Sequence, residues 1–222
     1  MRVHTDWLLT PQRAAIHLPT ATAVLADLHL GYDQARRRTG EAVPLVAPEE
    51  ALAPLAAVVA CQAVRRLVIA GDLLESGPGG PLLQCLAAWL QQAGVELVGV
   101  VPGNHDRGLG PEGGLRLCPG GIELGEWRVV HGDGPLGPGR LVFGHFHPCL
   151  RWGRRIAAPC YLVGDRHLVL PAFSADAAGV NVLGDRRWHA YRCYPVAGAR
   201  VLDFGEVGSL RRRVAQKQRR KG

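Results

Sequence analysis

Thr22-Ala23-Val24-Leu25-Ala26 runs straight into Asp27-Leu28-His29, an apolar stretch of strand length that ends in two polar side chains separated by one residue. The same arrangement returns four times along the chain. Arg66-Leu67-Val68-Ile69-Ala70 leads into Gly71-Asp72, and Val95 to Val101 leads into Pro102-Gly103-Asn104-His105-Asp106. Trp127-Arg128-Val129-Val130 leads into His131-Gly132, and Leu141-Val142-Phe143 leads into Gly144-His145-Phe146-His147. Short runs rich in Val, Leu and Ile between turn residues read as strands.

Two helical segments separate the early strands. Pro48 to Arg66 opens on Pro-Glu-Glu and is rich in Ala and Leu, a favourable helix start. Pro81 to Ala93 places Leu82, Leu83, Leu86 and Leu90 at helical spacing and stops before Gly94. Strands alternating with helices imply parallel pairing with helical crossovers. Past about residue 115 the helical signals vanish, and Arg155 to Val163, His167 to Leu170, Gly179 to Leu183, Arg187 to Cys193 and Arg200 to Phe204 read as short strands of an antiparallel or mixed sheet. In open α/β sheets ligands collect at the carboxyl ends of strands. All five polar turns lie there, so they are expected to converge on one site.

Composition limits the alternatives. A chain of 222 residues that is 47% apolar can bury a sizeable core in one domain. The longest charge-free apolar stretch, Ala51 to Val64, is too short to span a bilayer. The N-terminus lacks an apolar signal region, so the expectation is a cytoplasmic protein with no membrane partner. Six scattered cysteines without a C-x-x-C pair predict neither disulfides nor a zinc knuckle. The formal charge is +7, but residues Arg211 to Gly222 hold seven basic side chains and no acid. The remainder balances at 19 basic against 19 acidic residues. The expected organisation is a domain over 1–210 followed by a basic, disordered tail over 211–222, either a polyanion-binding arm or a solvated terminus.

Each polar turn alone is more often a plain turn than a ligand pair. Together they place five of the nine histidines, His29, His105, His131, His145 and His147, with Asp27, Asp72 and Asn104 at strand ends. Imidazole nitrogens mixed with hard oxygens, without thiolate, suit Mn, Fe, Zn or Co in an open site rather than a closed structural zinc site.

The ordered motifs D-x-H, G-D, G-N-H-D, H-G and G-H-x-H over Asp27 to His147 resemble those of the calcineurin-like metallophosphoesterase superfamily. Residues 3–17, Asp27 to Tyr32, His147-Pro148, Leu170 to Phe173 and Gly179 to Val182 resemble its small single-domain branch, which includes the ligase-associated DNA damage response phosphoesterases. The resemblance implies an αββα sandwich, two mixed β-sheets flanked by helices. It implies two divalent ions, most readily Mn²⁺, one held by Asp27, His29, Asp72 and His147 and the other by Asp72, Asn104, His131 and His145. Asp72 would bridge them, His105 would face the scissile phosphate without binding metal, and Asp106 would orient His105. Such a pair, about 3.5–4 Å apart, activates a bridging hydroxide for in-line attack on a phosphodiester.

Arg107, Tyr32 and Arg36 are the candidates for substrate contact, by bidentate phosphate binding or base stacking. Arg151 to Arg155, with Trp152, is either a second stacking surface or a packed hairpin. His4, His17, His167 and His189 read as structural. The expected activity is phosphodiester hydrolysis, with DNA end processing as its narrowest form. The rivals are a small-molecule phosphatase, a nucleotide pyrophosphatase, and a non-catalytic interaction scaffold.

Overall fold

A computed structural model describes residues 1–61, 64–110, 114–153 and 156–219 of the chain, with side chains to 216. The first sheet contains β1 (Arg2–Val3), β2 (Trp7–Leu9), β3 (Ala15–His17), β4 (Thr22–Leu25), β5 (Arg66–Ala70) and β6 (Glu96–Val101), in that order. β1 to β4 pair antiparallel, whereas β4, β5 and β6 are parallel. Helices α1 (Tyr32–Arg38), α2 (Pro48–Val59) and α3 (Gly80–Ala93) lie in the connections between those parallel strands.

The second sheet is built from β7 (Ile122–Leu124), β8 (Trp127–Val129), β9 (Arg140–Phe143), β10 (Pro148–Trp152), β11 (Ile156–Val163), β12 (His167–Val169) and β13 (Val180–Asn181). Its order is β13-β10-β11-β12-β9-β8-β7, and β14 (Arg192–Ala197) adds to β11 and carries β15 (Arg200–Val201). Here β8, β9 and β12 run parallel, as do β10 and β13. A final helix, α4 (Val207–Arg219), follows. Among the described residues no helix is long and apolar enough to cross a membrane.

Alternation along each strand sorts the core into three apolar layers. Leu25, Leu67 and Ile69 face Leu52, Leu55 and Val58 of α2 and Leu83, Leu86 and Leu90 of α3. Their neighbours Val24, Val68 and Ala70 turn the other way and meet Trp127, Val129, Val142, Tyr161 and Leu168 between the sheets. Leu141, Phe143, Leu162 and Val169 point outward from the second sheet, onto Trp188 and onto Val207 and Leu210 of α4. The chain is therefore α/β, two mixed sheets face to face with helices outside, as expected.

Elsewhere the structure adds to the expectation or departs from it. Arg36 to Arg38 belong to a helix, because Gly31 at φ 80° turns the chain and the three arginines fall in the last turn, where the helix dipole favours cations. The segment 187–193 is not one strand. Asp185 accepts from the Arg187 amide at 2.9 Å and starts a 3-10 turn over Arg186–Trp188, which buries Trp188 before β14 begins. α4 continues through the basic residues from Arg211 to Arg219. Val207, Leu210 and Val214 lie on one face of α4, and the sheet supplies the apolar surface for it.

All six cysteines are free, and Cys149, Cys160 and Cys193 are buried. The Tyr161 hydroxyl, buried between the sheets, donates within 2.7 Å of Thr10 O and 3.0 Å of Ala14 O. Tyr161→Phe is expected to cost about 0.5–1.5 kcal/mol, the net worth of one hydrogen bond, because Thr10 O keeps the Arg13 amide at 3.2 Å. Urea unfolding monitored by circular dichroism measures the loss.

Candidate metal centre

The strand ends do meet. Past β4 and β5 the two chains stay laced side by side: Asp27 N donates to Gly71 O at 3.0 Å, His29 N to Asp72 O at 2.9 Å and Leu30 N to Leu73 O at 2.9 Å. In this stretch Asp27, His29 and Asp72 adopt φ of 58°, 49° and 46°. In the second sheet His145 and His147 take φ of 66° and 43°. Left-handed backbone costs a non-glycine residue roughly 1–2 kcal/mol. Such strain persists only where surrounding structure imposes it, often at functional sites.

The geometry brings Asp27, His29 and His147 together, and likewise Asp72, His131 and His145. Their ligand atoms lie within 4.8 Å of one another in each set. His105 joins His29 and Asp72 in a third set. His29 Nε2 and His147 Nε2 face each other at 3.5 Å. His147 Nε2 is 3.4 Å from Asp27 Oδ1, and His131 Nε2 is 3.4 Å from Asp72 Oδ2 and 3.3 Å from Asn104 Oδ1. His131 Nδ1 lies 3.0 Å from the Ala70 carbonyl, to which it can only donate, so Nε2 is the nitrogen that faces the site.

The fit to divalent cations rests on charge. Asp27 is fully buried and Asp72 is 2% exposed. Among the described residues, their ion-pair partners are histidines, with no lysine or arginine. Buried carboxylates need compensation. Asp27 gets part of it from the His145 amide, 3.1 and 3.0 Å from its two oxygens, and Asp72 from the His105 amide at 2.9 Å. The approach is so close that glycine is required on both sides. A Cβ on Gly103 would collide with Asp72 Oδ1, and one on Gly144 with Asp27 Oδ2.

Proton equilibria follow from the same packing. Burial pushes the His29 imidazole down, against the pull of Asp27 and Glu75, and burial together with His131 pushes His145 down. Both are held towards the neutral form that binds metal. His131 is the exception. Burial opposes its charge, but the hydrogen bond and negative charge of Asp72 outweigh burial and raise it to about 9. Burial likewise opposes ionisation of Asp72, yet His131 and the His105 amide hold it at about 2.

Asp106 is buried and its carboxylate is turned to backbone amides. Its carboxylate accepts from the amides of Gly103 at 2.9 Å, Leu74 at 3.1 Å and Leu73 at 3.2 Å, tying the loop after β6 to the loop after β5. Its carboxyl is raised, by burial first and then by Asp72, against those three amides. The residue beside His105 is Glu75. His105 Nδ1 donates to the Glu75 carbonyl at 2.9 Å, and the Glu75 carboxylate is 3.8 Å from the same nitrogen. A Glu75 oxygen also lies 2.8 Å from His29 Nδ1, off the line of a hydrogen bond. The available sequence signal was an acid three residues after Asp72 in an otherwise apolar loop.

Of the expected substrate contacts, Tyr32 lines a cavity beside His29. Arg36 is turned to local partners, 2.9 Å from Glu41 and with its guanidinium 4.9 Å from the Tyr32 ring centre. Arg107 is exposed on the loop after Asp106. Arg151 and Trp152 belong to the β10–β11 hairpin, while Arg154 and Arg155 fall outside the described residues.

No protein-family model and no curated protein matches the sequence. Among solved structures, the nuclease MPE of Pseudomonas putida is similar, with a TM-score of 0.68 and 23% identity over 89% of this chain and 94% of that one. The likeness extends over nearly the whole length of both chains and establishes a common fold.

In the metal-free protein the charged His131–Asp72 pair sets a pH window. The His131 contribution to stability is present in full below 6.5 and is lost as pH rises through about 9; the Asp72 contribution is present above 3.8 and is lost as pH falls through about 2. Loading a divalent ion at the His131 side of the cluster at neutral pH must displace the His131 proton, with release of about one proton per chain expected. Titration calorimetry in buffers of different ionisation enthalpy measures it.

Proposed function

We propose that this chain is a metal-dependent phosphoesterase that hydrolyses phosphodiesters, with nucleic acid as its substrate class. The observation that carries the reading is the convergence of two buried carboxylates and their imidazole partners on one point, with no lysine or arginine in ion-pair contact with either carboxylate among the described residues. The choice of nucleic acid draws support from the fold shared with a nuclease.

In this reading Asp27, His29, Asp72 and His147 would hold one ion, and Asp72, Asn104, His131 and His145 the other. When bound, divalent ions polarise the phosphoryl oxygens and make water a competent nucleophile at neutral pH. The protein residues do the rest. Glu75 and Ala70 fix the tautomers of His105 and His131 through backbone carbonyls. His105, with a side chain 37% exposed, is the histidine of the cluster most open to solvent. Its Nδ1 proton is committed to a carbonyl, so Nε2 is the atom that faces the departing oxygen, and in the imidazolium form it would give its proton there and leave the neutral Nδ1–H ring. Asp106 keeps the His105 loop in register with Asp72 and does not take part in the proton transfer.

Metal-stripped protein reloaded with Mn²⁺, Fe²⁺, Co²⁺ or Zn²⁺ and given bis-p-nitrophenyl phosphate, p-nitrophenyl phosphate and single-stranded DNA tests the proposal. Turnover of the diester and cleavage of the DNA are expected. Preference for the monoester would favour the small-molecule phosphatase, and failure to retain any metal would favour the scaffold. Asp72→Asn is expected to abolish turnover and lower metal content. His105→Ala is expected to lose roughly 10²–10⁴ in kcat while metal content by mass spectrometry stays at the wild-type level.

A further inference from the structure

A cavity of about 450 Å³ opens beside His29, between α2 and the loops that follow β4 and β12. Its walls are mostly apolar, with Leu30, Leu55, Tyr32 and Phe173 among them. Its size lies in the range of small-molecule sites. Two polar features stand out. Gln12 is part of the lining, and its buried Oε1 has no hydrogen-bond partner among the described residues. Arg13, held by its NH1 donating to Ser174 O at 2.9 Å, lines both this cavity and a smaller one of about 100 Å³ beside His147.

The cavity is fixed relative to the carboxylates and histidines by backbone hydrogen bonds. Tyr32 N donates to His29 O at 3.2 Å, and Phe173 N donates to Ala26 O at 2.8 Å. Each aromatic residue is therefore anchored at, or next to, a residue of the metal centre. A phosphate gains nothing from an apolar hole. The part of a phosphodiester that fits is flat, apolar on its faces and polar along its edge.

We infer that this cavity binds the base of the nucleotide adjoining the scissile phosphate, with Tyr32 and Phe173 as its aromatic walls and the Gln12 amide at the base edge. An alkyl chain of similar bulk would leave Gln12 unsatisfied and would lie against the carboxylates of Asp33, Glu50 and Asp176, which also line the cavity. Nucleobases stack on aromatic side chains with little regard to sequence, so the site selects nucleotides over simple phosphodiesters without selecting among bases. The inference rests on the phosphodiesterase reading of the neighbouring centre.

Binding decides it. Mn²⁺-loaded protein is titrated with thymidine 5′-monophosphate and with methyl phosphate, which share the phosphate and differ in the nucleoside. The nucleotide is expected to bind about tenfold more tightly or better. Ala51→Phe, which fills the cavity from α2, is expected to bring the ratio of affinities to about one. Gln12→Ala, which leaves the core untouched, is expected to reduce it by about threefold to tenfold. Equal affinities in the wild type, or a ratio that neither variant changes, would overturn the inference. A different result marks failure of the catalytic reading: methyl phosphate does not bind and no diester is turned over. The cavity is then tested without phosphate by the fluorescence of 2-aminopurine deoxyriboside, which stacking on Tyr32 or Phe173 quenches. An unquenched signal at millimolar protein would overturn it.

Discussion

Two carboxylates buried without lysine or arginine partners are the constraint on which the rest of this structure depends. Asp27 and Asp72 lie between the loops of two sheets, where an uncompensated negative charge is costly. The protein answers with backbone amides. The His145 amide points at Asp27 and the His105 amide at Asp72. Those contacts dictate the glycines at 103 and 144, since any larger residue would push the carboxylates away. They also join the two sheets at their upper rim, because Asp27 follows β4 of the first sheet and His145 follows β9 of the second. The remaining charge is balanced by His131, whose proton occupies the position a metal would neutralise.

The placement of the site follows from strand direction. β4, β5 and β6 run parallel in one sheet, and β8, β9 and β12 run parallel in the other. The apolar layer between the sheets, from Trp7 and Val68 to Trp127 and Tyr161, holds them face to face. Loops leaving the carboxyl ends of both sets then share one edge. Asp27, Asp72, Asn104, His131 and His145 each come from a different loop, so no local segment could build the centre alone. The centre exists only when both sheets are complete.

That dependence explains what could be read from the sequence. Short continuous apolar runs identify β4, β5, β6 and β9 directly, and the polar residues after them mark the convergent turns. Leu82, Leu83, Leu86 and Leu90 similarly disclose α3. The features that escaped reading depend on tertiary partners. α4 shows only Val207, Leu210 and Val214 among charged neighbours, and its helix is recognisable once the outer face of the second sheet is there to receive them. Asp106 sits beside His105 in sequence, which suggests a role in orienting it. Backbone geometry turns its carboxylate towards three amides instead. Glu75 is distant in sequence from His105 yet reaches it, because the loops after β5 and β6 are neighbours.

The left-handed residues show how chemistry and recognition are connected. Asp27, His29 and Asp72 could relax to ordinary backbone only by breaking the ladder that joins residues 27–30 to 71–73. That ladder is anchored by the parallel strands below it, so the strain is carried by the most buried part of the fold. The same short stretch fixes Tyr32 through His29 O, and Phe173 through Ala26 O. A change that loosened the aromatic walls of the cavity would act on the backbone that aims His29 and Asp27. Conversely, an ion that tightened those ligands would stiffen the cavity walls. On the proposed reading, affinity for a nucleoside and affinity for metal would be linked through this hydrogen-bonded backbone, with no moving loop required between them.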